Sequence, residues 1–418
     1  MSLPAQNRRE FLASIGVASA AGLFPSLDEG GARDRRATVE AHAGLRGLVP
    51  AGDFGFAPGL VYLQTGSLGP TPRPVMRRAI DAWAELQLDP VKYGYGAHEH
   101  AMDEVRAQAA AFLNCKTDEL LLTRSTTEGM NWIAQGLTLA AGDRVLTTDQ
   151  EHPGGRMCWD YVVRRYGVAL DIVEIPAGEN DARAIIDRFT RQITPRTRVL
   201  SFSHLLSSTG LRMPVAELSA LARSRGCIAV VDGAQAVGGI AVDVKALGAH
   251  AYATSGHKWL LGPPGTGLLY LSEELGPTID PISLQAGHAA YSGSSGVTSI
   301  PSVLGLGAAM SYISTVGLDR VESHNLRLRN QLYEALREVT KLKVVSAPPG
   351  PLASPLLTFA LPSDIKSSAF HDRLLAQYQI ELKVVPGNWL NGNRVSTHLF
   401  NTEQDVAALV TALKRELA

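Results

Sequence analysis

The stretch ATSGHKWLLG at positions 253–262 decides how the rest of the chain is interpreted. Lys258 lies at its centre, with an apolar segment on each side, at 250–254 and at 267–271. Such a lysine is either a solvated turn residue or a buried amine, and a single lysine favours the first interpretation. Burial disfavours the ammonium form, lowers the pKa, and lets the amine attack a carbonyl to form a Schiff base. The rest of the chain must therefore decide between the two.

The composition excludes several classes of protein. The chain has 418 residues, of which 45% are hydrophobic and 19% charged, as in a globular protein with a large core. A net charge of -1 gives no electrostatic basis for binding nucleic acid. Cys115, Cys158 and Cys227 are too scattered for a metal or disulfide pattern, and no apolar run is long enough to span a membrane. We therefore expect no metal site, no nucleic-acid partner and no stable membrane insertion.

Residues 1–27 resemble a twin-arginine export signal. The sequence NRREFL at 7–12 is followed by a mildly apolar stretch at 13–24. The alternative is a disordered, basic N-terminal segment that is not a targeting signal, which would leave the protein in the cytoplasm. Export through this pathway would place the folded protein in the periplasm or outside the cell. Residues 28–58 are predicted to form a polar linker and an N-terminal arm.

Residues 59–299 alternate between short apolar segments and helical stretches. Near-continuous apolar strands between helices predict one large α/β domain, with a largely parallel sheet covered on both faces. Residues 300–418 are predicted to form a smaller α+β domain that includes a strand at 380–385. The predicted strands of the large sheet are 119–123, 144–148, 170–175, 199–203, 227–232, 251–254 and 267–271, and the helices between them are 127–136, 154–166, 181–192 and 214–224.

A predicted helix begins directly after the strand 119–123. Ser125 and Glu128 fit a capping box at its start. The free backbone N–H groups there, with the hydroxyls of Thr126 and Thr127, would form an anion site suited to a phosphate. Most turns of this kind are only helix caps, so this pattern is weak when taken alone.

Two more side chains follow the ends of predicted strands. Asp232 ends a buried strand, where a carboxylate needs a cationic partner or hydrogen bonds. A protonated pyridine nitrogen would be such a partner, although an aspartate that caps its own turn explains the pattern equally well. His152 follows the strand 144–148, where an imidazole can stack on a flat ring, and the alternative is a structural or solvated histidine.

Together these features describe one ligand. A lysine for a Schiff base, a strand-end aspartate, a stacking histidine and a phosphate site at a helix start are what pyridoxal phosphate (PLP) requires. All four lie at strand ends or in the loops that follow, which is where ligands bind in sheets of this type. The combination therefore favours PLP over four unrelated structural roles.

Three motifs resemble the class V aminotransferase family of PLP-dependent enzymes. They are DGAQA at 232–236, TSGHK at 254–258 and GPPGTG at 262–267. A fourth, LQTGSLGPTPRP at 63–74, is similar to the isopenicillin N epimerase-like branch. The resemblance extends from about residue 61 to the C-terminus. It implies the fold-type I PLP-dependent transferase architecture, with a large mixed, mostly parallel sheet and a smaller C-terminal α+β domain.

The resemblance also implies catalytic roles. Lys258 would hold PLP through a Schiff base and later move the substrate α-proton. Asp232 would keep the ring nitrogen protonated, and His152 would stack on the ring. Gln235 would contact the ring hydroxyl, and Ser207 stands near the cofactor where relatives often carry an asparagine.

Further residues are implied to bind the phosphate and the substrate. Arg394 would hold a substrate carboxylate in a bidentate pair. Thr298 would reach the phosphate of a neighbouring subunit, which implies a homodimer. The residues implied to bind the phosphate within the same chain are Thr126, Thr127, Ser255 and His257.

Two departures from the family pattern matter: Ser207 in place of an asparagine, which implies different contacts to the ring hydroxyl, and a loop without the nucleophilic cysteine. Cysteine desulfurases of this family carry a nucleophilic cysteine shortly before the substrate-binding arginine, and residues 385–392 here contain none. Persulfide chemistry at that position is therefore not expected.

The sequence at 262–267 also resembles a P-loop, the phosphate-binding motif of nucleotide-binding proteins. Leu268 and Leu269 follow where that motif needs lysine and then serine or threonine, so nucleotide binding is not expected.

We therefore predict a PLP-dependent enzyme that acts on the amino group or α-carbon of an amino acid or a peptide-like metabolite. Transamination is the first expectation. Epimerisation and cleavage of a C–S or C–N bond remain open. An exported binding protein that keeps the fold without catalysis is the non-enzymatic alternative, although it predicts loss of Lys258 or Asp232, and both are present.

Overall fold

The computed structural model describes residues 44–287, 289–387 and 389–417. The predicted export signal lies outside the described residues, as does the first part of the predicted linker. The strands within these ranges are β1 Leu45–Arg46, β2 Val49–Pro50, β3 Val61–Tyr62, β4 Leu120–Thr123, β5 Arg144–Thr148, β6 Ala169–Val173, β7 Thr197–Ser203, β8 Ile228–Asp232, β9 Ala251–Ser255, β10 Gly267–Leu271, β11 Tyr291–Ser292, β12 Gly296–Val297, β13 Lys343–Val344, β14 Leu356–Ala360, β15 Ile380–Glu381, β16 Lys383–Val384 and β17 Gly392–Ser396.

Most predicted helices are present within one or two residues of their expected bounds. A π-helical turn, Tyr93–Ala97, joins the second helix to the third. The α-helices of the described ranges are α1 Arg73–Leu88, α2 Pro90–Lys92, α3 His98–Phe112, α4 Thr126–Gly136, α5 Pro153–Tyr166, α6 Ala182–Gln192, α7 Val215–Ser224, α8 Val244–Leu247, α9 Ile300–Val316, α10 Leu318–Arg337, α11 Ser367–Tyr378 and α12 Glu403–Glu416.

A seven-stranded sheet forms the centre of the fold, in the order β4-β10-β9-β8-β7-β5-β6. Strand β10 is antiparallel to both of its neighbours, and the remaining pairs are parallel. This confirms the predicted mixed, mostly parallel sheet. Val230 and Val231 show why its strands are nearly continuous in apolar residues: adjacent side chains point to opposite faces, and each packs into a different hydrophobic cluster.

The strand order brings six carboxyl ends to one edge of the sheet. Every strand of this sheet except β10 runs in the same direction, since β4 and β9 are both antiparallel to β10 and the other pairs are parallel. Gly267, at the start of β10, pairs with Thr123 at the end of β4 and with Ser255 at the end of β9. The loops that carry the predicted site residues therefore leave the sheet at the same edge.

A second, antiparallel sheet has the order β13-β14-β17-β16 and packs with helices α10, α11 and α12 around its own hydrophobic cluster. This confirms the smaller α+β part, while the exact domain boundaries stay a prediction. The single strand expected at 380–385 is wrong. Strand β15 pairs in parallel with β3, whereas β16 pairs antiparallel with β17 in the second sheet.

The described part of the N-terminal arm packs against the C-terminal part of the chain. The backbone N–H of Leu48 donates to the carbonyl oxygen of Leu399 at 2.7 Å, and Phe54 contacts the ring of Phe400. Within the described ranges, no single helix has the length and hydropathy of a membrane span. Helices α9 and α10 reach the length and hydropathy of a membrane span only when they are taken together, and they meet at a bend of 76°.

Candidate active site

A cavity of about 400 Å³ lies at the carboxyl edge of the large sheet. Side chains from both sheets line it, so the site lies between the large sheet and the smaller C-terminal part. Every predicted site residue lines this cavity except Thr298. Those that do are Thr126, Thr127, His152, Ser207, Asp232, Gln235, Ser255, His257, Lys258 and Arg394.

Lys258 lies in a tight turn directly after β9. Gly69 packs against this turn: its N–H donates to the carbonyl oxygen of His257 at 2.8 Å, and a Cβ atom on residue 69 would lie 2.0 Å from the carbonyl oxygen of Lys258. Burial lowers the pKa of Lys258 to about 8, against the attraction of Asp232, which raises it. The turn therefore holds an amine whose neutral form is accessible near neutral pH.

Asp232 is buried at the end of β8. Its Oδ1 atom accepts a hydrogen bond from the backbone N–H of Ala234 at 2.9 Å. Burial raises the pKa of Asp232, and the hydrogen bond from Ala234 and the charge of Lys258 only partly oppose this. A buried carboxylate in this position favours a cationic ligand atom beside it.

His152 is the residue that caps helix α5. Its Nδ1 atom accepts a hydrogen bond from the backbone N–H of Gly154 at 3.0 Å. Burial lowers the pKa of His152 to about 4, and the charges of Lys258 and Arg394 lower it further. The ring is therefore neutral near pH 7, and its proton lies on Nε2 because Nδ1 accepts.

The start of helix α4 lies beside the end of β9. The backbone N–H of Thr126 donates to the Oγ atom of Ser255 at 3.0 Å, and the two hydroxyl oxygens are 2.7 Å apart. Ser255 therefore fixes the N-terminus of α4 at the cavity, where the helix dipole favours an anion.

Only half of the predicted capping box forms at this helix. The Oγ atom of Ser125 accepts from the backbone N–H of Glu128 at 3.2 Å, as expected. The carboxylate of Glu128 instead accepts from the backbone N–H of Arg124 at 2.6 Å and from its Nε at 2.7 Å. The charge of Arg124 draws the carboxylate one residue further from the helix.

Several polar atoms of the cavity residues are buried without a hydrogen-bond partner among the described residues. They are the Nδ1 atom of His257, the Oγ atom of Ser207 and the Nε atom of Arg394. Buried polar groups without partners are costly, and a polar ligand would satisfy them. The amide of Gln235, in contrast, already donates to the carbonyl oxygen of Gly66 and accepts from Trp259, at 2.8 and 2.9 Å.

Arg394 is buried on β17 at the far side of the cavity. Its Nη1 atom donates to the carbonyl oxygen of Ser207 at 2.6 Å. Burial lowers the pKa of Arg394 to about 10, so the guanidinium remains charged near neutral pH. Gly66 allows its close approach, because a Cβ atom on residue 66 would lie 2.9 Å from the Nη2 atom.

The structure also brings residues to the site that the sequence analysis missed. Lys383 lines the cavity opposite Arg394, and Trp389 lines its wall. Glu151 is buried close enough to Asp232 for the charge of Asp232 to raise its pKa, and it accepts hydrogen bonds from the hydroxyls of Thr148 and Ser203, both at 2.6 Å. Its position directly before His152 is the one local signal that could have drawn attention to it.

Thr298 lies apart from the other predicted residues. It lines a second cavity, of about 340 Å³, together with Arg124 and Glu128. This chain therefore does not bring Thr298 to the cavity of Lys258, and its predicted role at a neighbouring subunit stays a prediction.

The residues of the first cavity fit PLP. The N-terminus of α4, with Ser255 and the unpartnered Nδ1 atom of His257, suits a phosphate. Asp232 suits a protonated ring nitrogen, and Lys258 supplies an amine of lowered pKa. This fold and this donor set define a PLP-dependent enzyme of fold type I.

The chain belongs to the family described as aminotransferase class-V, whose model matches residues 61–409. It is 32% identical over 382 residues to an isopenicillin N epimerase from Amycolatopsis lactamdurans, covering 85% of this chain and 95% of that protein. It is 30% identical to the isopenicillin N epimerase of Streptomyces clavuligerus, covering 85% and 94%. A probable cysteine desulfurase from Methanothermobacter thermautotrophicus is 27% identical, covering 85% and 94%.

Solved structures show the same fold. The cystine C–S lyase C-DES, in complex with its product cysteine persulfide, matches with a TM-score of 0.77 and 24% identity, covering 85% of this chain and 98% of that one. The cysteine desulfurase CsdA from Escherichia coli matches with a TM-score of 0.75 and 26% identity, covering 87% and 96%. These matches confirm the predicted fold type, and the family match confirms the cofactor class.

Proposed function

We propose that this chain is a PLP-dependent epimerase, which inverts the α-carbon of an amino acid or of a peptide-like metabolite with a free α-amino group. The observation that carries this proposal is that Lys258 and His152 line the same cavity, so that two side chains able to hold a proton meet at one site. The likeness to two isopenicillin N epimerases over 85% of the chain supports it. Transamination, the first expectation from the sequence, has no support among the relatives described above.

Lys258 and His152 each have a definite task in such a reaction. PLP, when bound, supplies the electron sink that makes the α-proton of the substrate acidic. Lys258, with its pKa lowered to about 8, can take that proton near neutral pH. Inversion needs a proton returned to the α-carbon from the other side. His152 can relay one, because its Nε2–H can be given up while Nδ1 takes a proton from solvent in place of its hydrogen bond from Gly154.

Arg394 and Asp232 would bind and orient the substrate and the cofactor. Arg394 would hold the substrate carboxylate, because it is charged, buried, and has an Nε atom free of partners among the described residues. Asp232 would hold the cofactor ring in its protonated state. Val385, Pro386 and Trp389 line the cavity where cysteine desulfurases carry their nucleophilic loop, which disfavours persulfide formation here.

The test uses the holoenzyme in D₂O with single enantiomers of a panel of amino acids and small peptides. NMR follows deuterium at the α-carbon, and chiral chromatography follows inversion. We expect exchange and the opposite enantiomer without any added 2-oxo acid, and neither in Lys258→Ala. Amine transfer that requires a 2-oxo acid would replace the proposal with transamination, and release of sulfide or ammonia would replace it with a lyase.

We also propose that the enzyme is a homodimer. Met76, Ile80 and Trp83 are exposed at a spacing that places them on one face of α1, which is typical of a surface that a partner covers. A neighbouring copy could also bring Thr298 to the partner's cavity. Light scattering should give twice the mass of 44.6 kDa, and a monomer at micromolar concentration would contradict the proposal.

Export through the twin-arginine pathway is the third proposal. It is supported by the paired arginines at 8–9 and the apolar stretch that follows. Residues 1–36 fused to a reporter should direct it across the membrane in a host with this pathway. Replacement of both arginines by lysine should abolish export, and unchanged export would contradict the proposal.

A further inference from the structure

Lys383 is a second cation at the substrate end of the cavity, and the proposed reaction leaves it without a task. Strands β16 and β17 are antiparallel, and Lys383 is the register partner of Arg394. Directly opposed residues of an antiparallel pair project from the same face of the sheet. Both side chains accordingly line the cavity.

Neither cation is neutralised by an acid of the described chain. Burial and the charge of Arg394 lower the pKa of Lys383, and no carboxylate opposes this. The pKa of Arg394 is likewise lowered by burial alone. Asp232 acts on Lys258 instead, and the carboxylate of Glu151 is held by hydroxyl groups on its own side of the sheet. One substrate carboxylate would therefore leave one cation uncompensated.

The wall beside Lys383 is apolar. Val385, Pro386 and Trp389 follow Lys383 along the chain and line the same cavity. Such a wall suits the methylene groups of a substrate, whereas Lys383 and Arg394 suit charged ends.

We propose that Lys383 selects substrates with a second carboxylate at the end of an aliphatic chain, while Arg394 holds the α-carboxylate. The substrate class is then a dicarboxylic amino acid or a peptide-like derivative of one. The inference rests on the proposed function, because it assumes an α-amino acid substrate in this cavity. In the competing arrangement, both cations hold a single carboxylate.

Calorimetry with compounds that lack an amino group tests the inference without any reaction. Glutarate and pentanoate have the same chain length but carry two carboxylates and one. We expect the wild-type holoenzyme to bind glutarate roughly tenfold more tightly, the order of one charge-assisted hydrogen bond. Lys383→Met should abolish this preference, and Lys383→Arg, which keeps the charge, should retain it. Equal binding of both compounds to the wild type, or an undiminished preference in Lys383→Met, would overturn the inference.

A second measurement separates this inference from the proposed function. The α-proton exchange of glutamate is compared with that of its neutral counterpart, glutamine, in the wild type and in Lys383→Met. We expect the variant to raise the KM for glutamate with little change in kcat, and to leave glutamine unaffected. If the holoenzyme exchanges the α-proton of no compound in the panel described above, the proposed function loses its support, and the calorimetric preference still decides the role of Lys383.

Discussion

Gly155 lies so close to Asp232 that a Cβ atom on residue 155 would be 2.4 Å from the Oδ2 atom of the carboxylate. Helix α5, which contains Gly155, begins at Pro153 and is capped by His152, so one helix start positions both the imidazole and the glycine that faces the carboxylate. The other oxygen, Oδ1, is held by Ala234. Asp232 is thus confined between a backbone hydrogen bond and a residue without a side chain.

Gly155→Ala should therefore displace Asp232 and weaken PLP retention. A separation of 2.4 Å is too short for any carbon–oxygen contact, so the carboxylate or the helix must move. We expect roughly a tenfold loss of PLP affinity, the order of one weakened charge-assisted interaction. Equilibrium dialysis followed by visible absorbance measures it.

Gly52→Ala is the matched control, because a Cβ atom there meets nothing within 4 Å. It should bind PLP as the wild type does. Unchanged PLP affinity in Gly155→Ala, with its melting temperature also unchanged, would show that Asp232 does not depend on this close approach.

The proton position on His152 gives an independent prediction. Because its pKa is lowered to about 4, the ring should stay neutral from about pH 5 upwards, with hydrogen on Nε2. NMR of ¹⁵N-histidine-labelled protein, with His152→Asn to assign the signal, reports both the charge and the tautomer. A titration near the ordinary histidine pKa, or hydrogen on Nδ1, would contradict the buried capping geometry of His152.

The large sheet was predictable from sequence because its strands are short apolar runs that need no knowledge of their partners. Strands β5 and β10 have the predicted bounds. The secondary structure after residue 360 was harder to predict from the sequence. Helix α11 was not predicted because its apolar residues do not keep to one face: Leu374 is buried, whereas the adjacent Leu375 is exposed.

Some site residues could be predicted from the local sequence, whereas others depend on how distant parts of the chain pair. Lys258, Asp232 and His152 follow strand ends, so the local sequence indicates their common edge. Lys383 could not be found in this manner, because its place in the cavity depends on the register of β16 against β17. The roles of Gly66 and Gly155 could not be predicted from the sequence either. Each lacks a side chain where Arg394 or Asp232 approaches closely, and that contact is visible only in the structure.

Glu151 should make the stability of the cofactor-free protein depend on pH. Burial raises its pKa from 4.5 to about 7, so the folded chain keeps a proton that the unfolded chain releases between these values. Its contribution favours folding at low pH and is lost as the pH rises through about 7. Above that pH the ionised, buried carboxylate of Glu151 lowers the free energy of unfolding by up to about 3 kcal/mol relative to its value at low pH.

Urea denaturation between about pH 5 and about pH 8 measures this dependence. Glu151→Gln keeps an oxygen and an amide for the partners Thr148 and Ser203, so it should gain stability relative to the wild type as the pH rises. Glu217→Gln, at an exposed position on α7, is the control and should follow the wild type. Parallel curves for the wild type and Glu151→Gln would mean that Glu151 is already ionised when folded.

The central claim is that Lys258 is the residue that carries the cofactor, beside the carboxylate of Asp232. Borohydride reduction of freshly prepared, PLP-supplemented protein, followed by peptide mass spectrometry, tests it most directly. The account predicts one pyridoxyl adduct, on the peptide that contains Lys258, and its loss in Lys258→Ala. An adduct on Lys383 or another lysine instead, or none at all, would contradict the account.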